Sequence, residues 1–369
     1  MKQRLLSLDV FRGMTVAMMI LVNNPGDWGH IYAPLEHAEW NGCTPTDLVF
    51  PFFLFIVGVS ISFAFQGKTA DRKTILKIIE RSAKLFALGL FLSLFPKFDF
   101  SVVRIPGVLQ RIALVFLVSS IVFLTTKNRT QQIIFASLLI GYWLLMTFVP
   151  VPDAGAANLE PEHNLGAYLD RLILGIPHLY KAVKVWDPEG ILSTIPAIAN
   201  GLAGVLVGTW LQRKDKEVTE KLMYIYFYGS ISLAIAWAWD AAGFPINKSL
   251  WTSSYALWTI GLAMIFLASF YWLIDVKKYT FWTKPFVVYG VNAITVFFLS
   301  GLIPRIMNMI KIALPDGEKV SSITWLYKSF IVPFFSEPKN ASLAGAITFV
   351  LIWLGILWIM YEKKMIVKV

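Results

Sequence analysis

The stretch that decides the fold is LEHAEWNGCTPTDLVFPFFLFIVGVSISFAF, residues 35–65. After Asp47 it carries no charged residue, and it is long enough to cross a hydrocarbon core of about 30 Å as a helix. Directly before that run stand His37 and Asn41, whose side chains form hydrogen bonds. We therefore predict a transmembrane helix near 47–65 with a polar site at its threshold.

The whole chain is too apolar for a soluble globular domain. Of its 369 residues, 57% are hydrophobic and only 15% are charged. The sequence predicts an all-α, polytopic membrane protein of about ten transmembrane helices, with one domain over residues 1–369. The predicted spans lie near 8–23, 47–65, 82–95, 107–125, 131–149, 190–211, 221–241, 253–274, 285–304 and 341–361. A further apolar piece, 323–335, is interrupted by Lys328 and Pro333, so we expect it to lie in the interface or re-enter rather than span.

The distribution of positive charge predicts the orientation. The chain has 33 Lys and Arg against 23 Asp and Glu, which gives a net charge of +10. If the N-terminus is cytoplasmic, twenty of these 33 fall in cytoplasmic segments and eleven fall outside, and the outer loop 24–46 has none. Because cytoplasmic loops are enriched in Lys and Arg, we predict that both termini lie inside and that the loop carrying His37 faces outward. The same topology explains the basic charge without a nucleic-acid partner.

An ionised side chain within a span is costly, and among the charged residues in the predicted spans Asp9, Arg12 and Arg111 are candidates for a role. Asp9 and Arg12 are three apart on one helix face, and they form either a structural ion pair or the cytoplasmic end of a ligand pocket. Arg111 lies about five residues into the fourth span. It either pairs with a carboxylate such as Asp47 or Asp170, or it binds an anionic group of a ligand.

The polar threshold before the second span holds the candidate chemistry. Asp47 opens that span in a TPTD sequence that is typical of a helix cap. His37 is either a hydrogen-bonding loop residue or a proton acceptor, since an imidazole titrates near pH 6.5. The chain has no HExxH or similar spacing, so we expect no metal cofactor.

Seven sequence blocks follow one another along the chain. They are SLDVFRGMTVAMMILVNN, EHAEWNGCTPTDLVFPFFLFIVG, PGVLQRIALVF, GAYLDRLILGIPHLY, WDPEGILSTIPAI, FPINKSLWTSSYA and YGVNAITVFF. In this order they resemble the transmembrane part of the heparan-α-glucosaminide N-acetyltransferase family, including its bacterial amino-sugar acetyltransferase relatives. The resemblance runs from Ser7 almost to the C-terminus.

The resemblance implies a membrane enzyme that takes acetyl-CoA from the cytoplasm and acetylates the amine of a glucosamine on the other side. The family's catalytic histidine, in its HAxWNG block, falls on His37, and the asparagine that closes the preceding helix falls on Asn23. An imidazole can remove a proton from the attacking amine, or it can carry the acetyl group itself. Asn23 is the nearest candidate donor to the oxyanion. The sequence leaves base and covalent carrier both open.

Other polar residues of the matched blocks are candidates for binding. The candidates for substrate binding at the outer side are Asp47, Arg111, Asn247, Lys248, Trp251, Ser254 and Tyr255. Asn292, in the ninth span, either faces the pantetheine arm of CoA or bonds a neighbouring helix. Asp9 and Arg12 are the candidates at the CoA end.

The expected partners are acetyl-CoA as co-substrate, an amino sugar or glucosaminyl oligosaccharide, membrane lipid and, as one open oligomeric state, a second copy in a homodimer. The lysosomal family members have an extra domain and span before the first block, so we expect free glucosamine or a glucosaminyl oligosaccharide here rather than heparan sulfate. We expect a bacterial inner (cytoplasmic) membrane location. Two rival functions stay open, an O-acyltransferase of an envelope polysaccharide and a transporter of sugars or anions.

Overall fold

The computed structural model describes residues 5–152, 154–313 and 319–367, and these are almost entirely helical. Thirteen α-helices follow in chain order: α1 (Leu6–Asn23), α2 (Val49–Phe65), α3 (Arg72–Leu94), α4 (Val108–Thr125), α5 (Asn128–Phe148), α6 (Leu165–Leu174), α7 (Thr194–Leu211), α8 (Val218–Ala241), α9 (Ser253–Phe270), α10 (Lys284–Val291), α11 (Ala293–Met309), α12 (Ser322–Phe330) and α13 (Pro338–Glu362). The one hairpin of the described residues pairs β1 (Lys311–Ala313) with β2 (Lys319–Ser321). The predicted all-α class is confirmed.

Within the described residues, eight helices are long and apolar enough to cross a membrane, and the bent pair α10–α11 adds a ninth if it is one span. The ten predicted spans exceed the larger of these two numbers, nine, by one. The difference is the predicted span 82–95, which forms the end of α3, a helix whose first half is rich in Lys and Arg. The apolar piece 323–335 gives only the nine-residue α12 and a short 3₁₀ turn, too short to span. The chain is an integral membrane protein.

Glycines let two helix pairs approach closely and thereby position the site. A Cβ on Gly58 of α2 would lie 1.9 Å from the carbonyl oxygen of Gly201 on α7. A Cβ on Gly13 of α1 would lie 1.7 Å from the carbonyl oxygen of Phe286 on α10. Small residues at such contacts bring membrane helices into backbone contact. The packing therefore holds α2 against α7 and α1 against α10. Residues of α1 and α2 border both cavities described below.

Helices α10 and α11 meet at Asn292 with a bend of 79°. The side-chain amide of Asn292 donates to the Met365 carbonyl at 3.1 Å, and its oxygen accepts from the Val367 amide at 3.0 Å. The hydrogen bonds of this asparagine thus go to the main chain of the C-terminal segment rather than to a neighbouring helix. A broken helix leaves some main-chain groups without helical hydrogen bonds, and this is tolerated where the break lines a cavity. Asn292 lies at such a break.

Candidate active site between two loops

His37 lies against Asp47 at the predicted threshold of α2. Nδ1 of His37 is 2.6 Å from Oδ1 of Asp47. The histidine side chain is 51% exposed, whereas that of Asp47 is 0% exposed. The buried carboxylate of Asp47 thus fixes Nδ1 of His37, while the rest of the histidine ring is open to solvent.

The second oxygen of Asp47 binds main chain. Oδ2 accepts from the amides of Ala38 at 3.1 Å and Thr44 at 2.9 Å. With Thr44 it forms a reciprocal capping box at the 3₁₀ turn Pro45–Leu48 that begins this span. The predicted capping role of Asp47 is confirmed, and the same carboxylate also fixes the loop on which His37 lies.

The loop 242–252 packs against the His37 loop. The Gly42 amide donates to the Ile246 carbonyl at 2.7 Å, and the Asn247 amide side chain donates to Oδ1 of Asn41 at 3.1 Å. Gly42 has a φ of +109°, which glycine adopts without strain. Asn247 is therefore a buried tie between the loops, not a group that faces a ligand.

These ties bring Lys248 to His37. Its ammonium lies 3.2 Å from each ring nitrogen of His37 and 3.8 Å from Oδ1 of Asp47. Burial lowers the pKa of Lys248, while the negative charges of Glu189 and Asp47 oppose that effect. The structure thus joins His37, Asp47 and Lys248 in one cluster from positions up to 211 residues apart.

Two more predicted substrate residues have structural roles. The Tyr255 hydroxyl donates to the main-chain oxygen of Asp47 at 2.6 Å, and the Ser254 hydroxyl donates to the Pro245 carbonyl at 2.8 Å. Both side chains are buried and neither lines the cavity beside His37. They anchor the start of α9 to the site.

Arg111 pairs with neither of the carboxylates predicted for it, Asp47 and Asp170. Its guanidinium donates to the carbonyls of Pro188 and Gly190, each at 3.0 Å, and lies 5.0 Å from the ring centre of Trp251. Within the described part of the chain, no carboxylate lies within ion-pair distance of Arg111. Asp170, one predicted partner, instead accepts from the Ile191 amide at 2.8 Å.

Trp251 is buried as well. Its indole N–H donates to Oδ1 of Asn200 at 2.9 Å. With Arg111 stacked on it, Trp251 forms the floor beneath the loops, and neither residue lines the cavity beside His37. The prediction that these two side chains touch a substrate is not supported by their positions.

An ion-pair cluster that sequence analysis missed forms another wall. Arg104 donates from Nε and Nη2 to both oxygens of Asp187, at 2.8 and 2.6 Å, and from Nη2 to Oε2 of Glu189 at 2.5 Å. Burial alone would lower the pKa of Arg104, but the two carboxylates outweigh it and raise that pKa. The only signal in the sequence was the acidic DPEG run inside a matched block.

The cavity beside His37 has a volume of about 280 Å³. Its polar lining includes Asn23, His37, Lys248, Glu189 and Tyr180. We call it the His37 cavity. Of the predicted residues, the structure therefore brings Asn23, His37 and Lys248 together around one space, with Asp47 directly behind.

A second cavity, of about 440 Å³, lies toward the other end of α1. Its polar lining includes Arg12, Ser60, Arg81 and Asn292, and we call it the Arg12 cavity. Arg12 donates to the Ser60 hydroxyl at 2.9 Å and lies 3.4 Å from Oδ1 of Asp9. The ion-pair alternative is confirmed, and Arg12 also borders a cavity; that this cavity is the cytoplasmic end of a ligand pocket stays a prediction.

The two cavities share three lining residues, Phe53, Ile112 and Ile294. We call these three the collar. Arg12 and Asn23 mark the two sides of the collar on α1, and eleven residues of helix separate them by roughly 16 Å. The cavities thus meet end to end inside the bundle. Among the described residues, no group of three His, Cys, Asp or Glu side chains is arranged to hold a metal ion.

The fold and the site define a polytopic membrane protein with a polar, histidine-containing site at one end of its bundle and a cationic cavity behind it. A family model described as "Heparan-alpha-glucosaminide N-acetyltransferase, catalytic" matches residues 4–237, more than half of the chain. The chain belongs to this family.

Two similar proteins carry the same name, heparan-alpha-glucosaminide N-acetyltransferase. The human protein is 29% identical over 423 aligned residues, which cover 99% of this chain and 60% of the human protein. The mouse protein is 32% identical over 351 residues, which cover 80% of this chain and 53% of the mouse protein. The chain thus spans little more than half the length of these curated relatives.

Proposed function

We propose that this protein is a transmembrane N-acetyltransferase that moves an acetyl group from cytoplasmic acetyl-CoA to the amine of glucosamine or of a terminal glucosaminide on the periplasmic side of a bacterial inner membrane. The observation that carries the proposal is the meeting of the two cavities at the collar, with the His37–Asp47 pair in one of them. Family membership and the names of the relatives support the same activity.

The Arg12 cavity suits the donor. CoA is a long anion whose phosphates favour arginine, and both Arg12 and Arg81 border this cavity. Its pantetheine arm is thin and uncharged, so it can pass the apolar collar and carry the thioester to the His37 cavity. The sugar then never has to cross the membrane.

The His37 cavity suits the transfer. With Nδ1 hydrogen-bonded to Asp47, a neutral His37 has its acceptor lone pair on Nε2. Nε2 takes the proton from the amine as the nitrogen attacks the thioester carbon. When the C–S bond breaks, that proton passes from His37 to the CoA sulfur. Asn23 and Lys248 border the same space and can donate to the transient oxyanion.

Covalent transfer uses the same residue differently. Nε2 of His37 attacks the thioester, CoA leaves as the thiol, and the amine then takes the acetyl group from acetyl-histidine. Intact-protein mass measured after acetyl-CoA is added without an acceptor separates the routes, because only the covalent route adds an acetyl group to the wild type and not to His37→Ala.

The proposed function is tested with purified protein, acetyl-CoA and two sugars. We expect glucosamine to produce free CoA thiol and N-acetylglucosamine, which has no free amine, to produce none. An O-acyltransferase would use N-acetylglucosamine as well, and a transporter would release no thiol with either sugar. Either result would overturn the proposal.

The orientation is tested by labelling. In a Cys43→Ser background, a cysteine placed at Glu36 should react with an impermeant thiol reagent in intact cells, because this residue lies on the exposed outer loop. A cysteine at Lys214, in the loop before α8, is the matched control and should react only after lysis. The reverse pattern would place His37 in the cytoplasm and remove the need for acetyl transfer across the membrane.

A further inference from the structure

We propose that Glu189, Arg104 and Tyr180 form the wall that recognises the acceptor sugar and that this wall selects hexosamines without an added negative charge. The inference rests on the proposed function and names the part of the site that binds its second substrate. We call these three residues the acceptor wall.

Glu189 has an oxygen free to bind a ligand. Its side chain is 8% exposed and borders the His37 cavity, and Oε2 is held by Arg104. Within the described ranges of the chain, Oε1 has no hydrogen-bond partner. A carboxylate oxygen at the edge of a cavity accepts hydrogen bonds from sugar hydroxyls, and its fixed partner Arg104 keeps it in place.

Asp187 provides an internal contrast. Both of its oxygens accept from Arg104, and Oδ1 also accepts from the Glu189 amide at 2.9 Å. Its side chain is 0% exposed and it does not border the His37 cavity. Two carboxylates therefore share one arginine, but only that of Glu189 can reach a ligand.

Tyr180 gives the wall a flat apolar face. Its ring borders the His37 cavity, and the guanidinium of Arg104 lies 4.4 Å from the ring centre. The C–H bonds on one side of a pyranose ring are weakly positive and pack well on the negative face of an aromatic ring. A sugar stacked on Tyr180 would place its hydroxyls toward Glu189 and its amine toward His37.

The charge of the wall excludes anionic acceptors. Arg104 is shared between the carboxyl groups of Asp187 and Glu189, so its positive charge is already matched within the cluster. The nearby cation Lys248 already lies beside Asp47. Arg104 is therefore not left unmatched to bind a sulfate on the sugar, and the free oxygen of Glu189 repels one.

The test measures KM for each substrate with purified wild type, Glu189→Gln, Tyr180→Ala and Asp187→Asn. We expect Glu189→Gln to raise KM for glucosamine about tenfold, the usual loss for a hydrogen bond to a charged group, with KM for acetyl-CoA unchanged. Tyr180→Ala should act in the same direction. Asp187→Asn, the matched control, should lower Tm and leave the ratio of the two KM values within about twofold.

Specificity gives a readout that a structural role would not change. Wild type should prefer glucosamine to glucosamine 6-sulfate, and Glu189→Gln should reduce that preference. An equal rise in both KM values, or an unchanged preference between the two sugars, would overturn the acceptor wall.

Binding keeps the two proposals separable. Calorimetric titration with glucosamine, without acetyl-CoA, should show wild type binding about tenfold more tightly than Glu189→Gln. If wild type binds glucosamine in this way but transfers no acetyl group, the proposed function fails and the wall stands. If wild type and the variant bind equally, or neither binds, the wall fails whatever the transfer assay shows.

Discussion

The two cavities at opposite sides of the collar are built by different means. The Arg12 cavity is bordered mainly by apolar helix faces, a helix break at Asn292 and two arginines, and none of the described residues that line it carries a carboxylate. The His37 cavity takes most of its polar groups from loops that are tied together by hydrogen bonds and ion pairs. A site that holds a long anion needs positive charge and space, whereas a site that moves protons needs fixed distances.

The largest effect is expected in the His37 cavity, whose polar groups come mainly from loops. His37→Ala should lower turnover at least about 10²-fold, because it removes the group that accepts the proton or the acetyl group. Acetyl-CoA should still raise Tm, because its anionic part binds beyond the collar and ligands that bind the folded state stabilise it. Near-normal turnover in His37→Ala would leave it an ordinary loop histidine.

The second prediction asks whether Asn23 serves the same transition state. Asn23→Ala should also reduce turnover, by up to about 10²-fold if its amide donates to the oxyanion. The losses in the double variant with His37→Ala should be less than multiplicative, because both residues act in one step. If initial rates show that the two losses multiply fully, the two residues act independently and the prediction is wrong. Asn24→Ala is the neighbouring control, since the Asn24 side chain donates to the Ile20 carbonyl.

A smaller effect is expected at the helix-built end. Arg81 borders the Arg12 cavity with its guanidinium 4.8 Å from the ring centre of Phe116, and among the described residues no carboxylate pairs with it. Arg81→Gln should raise KM for acetyl-CoA about tenfold and leave KM for glucosamine unchanged. Arg213→Gln, at an exposed arginine paired with Asp215, is the matched control and should change neither. A rise in KM for glucosamine would contradict the division between the cavities.

The smallest effect on the reaction is expected at Asp170, a buried carboxyl group that affects the stability of the fold rather than the transfer itself. Burial raises the pKa of Asp170 from 3.8 to about 7, with Asp187 adding to that effect. The folded protein therefore holds this proton more tightly than the unfolded chain, and its contribution to stability is lost as the pH rises from about 4 to 7. Asp170→Asn has no carboxyl group to titrate at this position and avoids the loss.

Thermal unfolding at pH 5 and pH 8 checks this prediction. The Tm of Asp170→Asn relative to wild type should be higher at pH 8 than at pH 5. Asp215→Asn is the control, because an ion pair with Arg213 lowers the pKa of Asp215 to about 2 and its titration lies below both conditions. If the Tm difference between Asp170→Asn and wild type is the same at both pH values, the raised pKa of Asp170 does not contribute to stability and the prediction is wrong.

The sequence predicted the parts of the fold that depend on local pattern. Long apolar runs located α2, α4, α5 and α9 to within a few residues, because a helix in a membrane must satisfy its own main chain. The break at Asn292 was missed, since the run around it is continuously apolar. The predicted span 82–95 lies in the second half of α3, whose basic first half sets this helix apart from the eight apolar ones.

The site was predicted in part for the same reason. His37 and Asp47 were each singled out, but their contact depends on how the loop between them folds. Arg104 and Glu189 are 85 residues apart, and no pattern in either segment points to the other. Arg111 misled because its partners are two main-chain carbonyls, the Ser193 hydroxyl and the Trp251 ring rather than a carboxylate.

The collar of Phe53, Ile112 and Ile294 has an electrical consequence. Where both cavities are filled with water, the membrane voltage falls mainly across the short apolar segment between them. Moving one elementary charge through that segment involves about 2.3 kcal/mol per 100 mV. In the proposed transfer, the thioester arm crosses this segment as a neutral group while the CoA phosphates stay on one side. The thiol that returns is also neutral, because it carries the proton taken from the amine. We therefore expect the proposed acetyl transfer through the collar to be electroneutral and insensitive to the voltage across the membrane.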